Sequence, residues 1–120
     1  MGVLRQSLLF QGLEAIVRNS NHQNPDLKLF EIGRLYHHRS ATEERTGDSA
    51  SLYHEEERLS LFMTGLAAPE NWNQGQSKSN PYSIKAEVLN LLVSIGIPES
   101  TIQQAPHQSP LVLEGLTLRA

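Results

Sequence analysis

The 120-residue chain sets ten Lys and Arg against thirteen Asp and Glu, a formal net charge of −3, with 38% hydrophobic and 19% charged residues. That size and composition fit one domain with a modest core and fall outside the disordered, collagenous and membrane classes. Nothing in the mildly acidic balance predicts nonspecific nucleic-acid binding, which shows as a clustered basic surface, and the absence of cysteine excludes disulfides, Cys-ligated zinc and thiol nucleophiles, in keeping with an intracellular protein.

Leu4, Leu8, Leu9, Leu13, Ile16 and Val17 recur at helical spacing. They predict a helix over 8–19, with Ser7 as N-cap because its hydroxyl can accept from a free first-turn amide. The string from Asn19 to Asp26 ends it with residues that favour turns. Residues 27–36, from Leu27 to Tyr36, are too rich in large apolar and aromatic side chains for a loop and predict a first strand. Residues 38–57 hold Glu43, Glu44, Asp48, Glu55, Glu56 and Glu57 among small polar residues. That segment reads as a solvated hairpin loop. Residues 58–66 alternate well enough for a second strand, antiparallel to the first. Residues 67–81 are rich in Pro, Asn, Gln and Ser and read as a linker or insertion, with Trp72 as a core or lid plug.

Ile84, Val88, Leu91, Leu92 and Ile95 mark a second helix, capped by Ser83 and closed by Gly96 and Pro98. The apolar positions from Leu111 to Leu118 predict a last strand. The order helix, strand, strand, helix, strand is an α+β pattern with a largely antiparallel sheet flanked by helices. No apolar run is long enough to span a bilayer, and the N-terminus lacks the layout of a signal peptide.

Motif reading finds no active site. His37, His38 and His54 are the only histidine cluster, but adjacent strand residues point to opposite faces, so His37 and His38 do not share a metal easily. The run Glu55-Glu56-Glu57 reads as a solvated surface rather than a catalytic carboxylate pair, which needs burial or an enforced like-charge contact. Gly33 has no glycine-rich turn or Lys-Ser around it for a phosphate loop, and no serine sits in a nucleophile elbow.

The phrase Leu4-Arg5-Gln6-Ser7-Leu8-Leu9, followed at this distance by Leu29-Phe30-Glu31-Ile32-Gly33-Arg34, resembles the beta subunit of bacterial phenylalanyl-tRNA synthetase. The segment Tyr82-Ser83-Ile84-Lys85-Ala86-Glu87-Val88 is similar to that family's lead into the helix after a Trp-containing linker. Departures fall at Gln6, at Phe10-Gln11 and over 104–113. The resemblance implies a partial catalytic-like module of class II synthetase fold over residues 1–120, with motif one before Met1 and motif three after Ala120. Residues 27–37 and 58–66 would be its two motif-two strands.

In a catalytic class II subunit, the residues after the Gly-Arg step include an arginine that grips the ATP α-phosphate and a glutamate two places on. Here His37 and Arg39 stand at those positions. An imidazole cannot supply the bidentate, permanently charged grip of a guanidinium, so the resemblance implies no catalytic residue and no metal or cofactor in this chain. Arg5, Ser7, Phe30, Glu31, Gly33 and Arg34 are implied to be structural, Arg34 through a salt bridge or backbone contact. ATP and magnesium are implied for the whole enzyme, a cytoplasmic alpha2-beta2 assembly in which the alpha subunit does the charging and tRNA(Phe) contacts lie elsewhere. A rival reading is a free-standing interaction module that uses the 38–57 loop and the Trp72 segment as its recognition surface.

Overall fold

The computed structural model describes residues 4–38, 53–69, 71–73 and 75–120. They are α+β, with two helices and two separate two-stranded antiparallel sheets where the sequence predicts one sheet. The chain divides into two compact units, one ending at Ser79 and the other running from Asn80 to Ala120.

In the first unit, α1 (Leu9–Asn21) is followed by β1 (Leu27–His38) and β2 (Tyr53–Thr64), paired from Leu27 opposite Thr64 to His38 opposite Tyr53. Ser7 Oγ accepts from the Leu9 amide at 3.1 Å. The N-cap itself is Leu8, already helical in its backbone angles and without a side-chain cap bond, so Ser7 closes the first turn from one residue further out. Both strands run further into the predicted loop than expected: residues 53–57 are not loop but pair with 34–38, where Glu55 meets Arg34 and Glu56 meets Arg58. The rest of the predicted 38–57 loop, residues 39–52, lies outside the described residues.

The strand period of two puts Leu27, Leu29, Glu31, Gly33, Leu35 and His37 on one face and Lys28, Phe30, Ile32, Arg34 and Tyr36 on the other. The first face is covered: Leu8, Leu27 and Leu35 are the buried apolar side chains among the described residues, and each contributes about 1.5–3 kcal/mol by leaving water. On the second face Phe30, Ile32 and Leu59 are exposed. The helix reaches the sheet at Gly12, which is buried where a Cβ would fall among the ring atoms of Phe62.

Both ends of the segment read as a linker or insertion over 67–81 are hydrogen-bonded. Leu66 bridges Lys78, Ala67 N–H donates to Ser77 O at 2.8 Å, and Ser79 N–H donates to Gly65 O at 2.8 Å. Trp72 is no plug: it is 96% exposed.

In the second unit α2 (Pro81–Ser94) starts earlier than predicted. Asn80 is its cap and accepts from Ser83 N–H at 3.0 Å, while Ser83 Oγ accepts from Asn80 N–H at 3.4 Å. Ser83 is therefore the third helical residue of a reciprocal capping box, with Pro81 taking the position where its missing N–H costs nothing. Gly96, at φ 97°, follows the helix end. A 3-10 turn (Glu99–Thr101) leads to β3 (Gln103–Pro106), which pairs antiparallel with β4 (Leu116–Arg119). The predicted last strand is thus shortened at its start. Ser109 turns the chain instead, its carbonyl accepting from Val112 N–H at 3.2 Å and its hydroxyl from Leu111 N–H at 3.3 Å.

Replacing Gly12 by Ala adds about 1 kcal/mol of helix propensity but forces the Phe62 ring or α1 to move, an overpacking cost of about 1–3 kcal/mol. Urea unfolding of Gly12→Ala should therefore show a lower midpoint than the parent. A raised midpoint contradicts the close approach.

Candidate functional site

The sequence points to the second half of β1, and the structure draws three of the six residues named as structural into one cluster there. Arg5 lies over the strand where Gly33 leaves room. Its Nη1 donates to Glu31 Oε1 at 2.6 Å and to Gln11 Oε1, and its Nε donates to the Arg34 carbonyl at 3.1 Å. The backbone returns the contact, with Tyr36 N–H donating to Arg5 O at 3.0 Å. Both Arg5 and Glu31 side chains are about two-thirds covered, where a charge-assisted bond is stronger than on an open surface. A Cβ at Gly33 would collide with the Arg5 guanidinium and come within 2.9 Å of Leu8 Cδ2.

Ser7 lies at the start of α1, where its hydroxyl accepts from Leu9 N–H. The Arg34 side chain leaves by the other face and meets Glu55 Oε1 at 2.7 Å. Phe30 takes no part in the cluster: alternation puts it on the uncovered face, 73% exposed. Arg39 is outside the described residues.

His37 stands directly opposite His54 on the covered face. Its Nε2 is shut off from solvent with no hydrogen-bond partner and lies 3.9 Å from Glu56 Oε2. The same Glu56 oxygen accepts from Arg58 Nη2 at 2.8 Å. That hydrogen bond holds the Glu56 carboxyl below its ordinary value, aided by the nearby charges of Arg58 and the two histidines against some desolvation, and it raises Arg58 in turn. Arg5, Arg34 and Arg58 each carry an internal carboxylate. Among the described residues no three His, Asp or Glu side chains are grouped to hold a metal ion.

Three contributors escape sequence reasoning. Gln11 completes the Arg5 bonds, Gly12 admits the Phe62 ring, and Asp26 Oδ1 accepts from Leu66 N–H at 2.8 Å, tying the start of β1 to the exit of β2. Only Asp26 carries a local signal, because Pro-Asp before a strand favours side-chain capping of nearby amides.

The family model of the phenylalanyl tRNA synthetase beta chain CLM domain matches residues 1–119. The chain belongs to that family. It is 36% identical over 97 residues to the phenylalanine–tRNA ligase beta subunit of Bacteroides thetaiotaomicron, covering 81% of this chain and 12% of the relative. The beta subunit of Symbiobacterium thermophilum is 31% identical over 106 residues, 88% of this chain and 11% of the relative. That of Lactobacillus acidophilus is 32% identical over 104 residues, 86% and 12%. The chain therefore spans about an eighth of the length of these beta subunits.

Two outcomes follow for this CLM domain. Gly33→Ala should displace Arg5 and lower stability by about 2 kcal/mol or more, through overpacking and the loss of a charge-assisted bond. Equilibrium denaturation that shows no loss contradicts the packing. The depressed Glu56 carboxyl stabilises the fold above its ordinary value of 4.5, and that increment disappears as pH falls through the lower folded value. Denaturation midpoints should thus fall more on acidification in the parent than in Glu56→Gln. Equal acid sensitivity contradicts the pairing.

Proposed function

We propose that this chain is a non-catalytic structural part of a phenylalanine–tRNA ligase beta subunit. In this reading it is a partial catalytic-like module of class II synthetase type, supporting the ATP-dependent attachment of phenylalanine to tRNA(Phe) on the alpha subunit. The assembly is an alpha2-beta2 enzyme of the cytoplasm, and tRNA is held through other parts of it. In support, the relatives are named beta subunits of this ligase, and no helix among the described residues is long and apolar enough to cross a membrane.

The observation that carries the reading is His37. At the position where the resemblance expects the phosphate-gripping arginine stands an imidazole whose Nε2 is enclosed and set 3.9 Å from a carboxylate oxygen. A carboxylate facing that nitrogen repels a phosphate. The neighbouring guanidiniums of Arg5, Arg34 and Arg58 each point at a carboxylate of the same unit, so these three cations serve the scaffold.

The test is His37→Gln in the full-length beta subunit of the assembled ligase. Phenylalanine-dependent exchange between ATP and pyrophosphate should stay within about twofold of the parent enzyme. A fall of roughly 100-fold or more, the size expected for loss of a group acting on the reacting atoms, overturns the reading.

A further inference from the structure

We draw no further inference here: the strongest candidate, the exposed apolar patch of Phe30, Ile32 and Leu59 on the outer face of the β1–β2 hairpin, carries none because nothing in the structure shows what covers it.

Discussion

Arg5 can hold the first unit together only because Gly33 has no side chain. The pleat of β1 turns Glu31, Gly33 and Leu35 to the same side, and the gap at Gly33 lets a guanidinium approach the strand closely enough to bond both the Glu31 carboxylate and the Arg34 carbonyl. Because Arg5 is fixed there, Leu8 is carried into the core three residues later, and α1 leaves over the sheet at the height where Gly12 meets Phe62. One bare position on a strand thereby sets where the helix runs. The bonds are directional and part-covered, so they specify the register of the 4–7 segment on β1 as well as stabilising it.

The same arrangement bears on chemistry. A phosphate site needs a cation or several N–H groups left pointing at open space. Along this hairpin Arg5 points at Glu31, Arg34 at Glu55 and Arg58 at Glu56, with distances of 2.6–2.8 Å. Glu56 also faces the enclosed nitrogen of His37. Each of these three guanidiniums is thus paired with a carboxylate of the same unit.

Much of the hairpin is legible in the sequence because its signals are local. The apolar run of β1, the alternation in β2 and the spacing of α1 all survive in the structure within a few residues. The errors have physical causes. Glu55, Glu56 and Glu57 look like loop because a carboxylate run alone cannot stay buried, and only the pairing register reveals that Arg34 and Arg58 stand close by. Gln103-Gln104-Ala105-Pro106 has no strand-forming residue, so β3 exists through its partner Leu116–Arg119 and leaves no trace in its own composition. At the site, Arg5, Glu31 and Gly33 are named by the resemblance, but their convergence depends on a gap 28 positions along the chain from the arginine that fills it. Phe30 shows the reverse: an aromatic on a strand reads as core, yet its face is the one that nothing described here covers.

The proposed role as a scaffold requires that this CLM domain bind neither ATP nor phenylalanine. Calorimetric titration of the chain with ATP, and separately with phenylalanine, tests that most directly. No saturable heat is expected for either at micromolar affinity. Stoichiometric binding of either one in that range would contradict it.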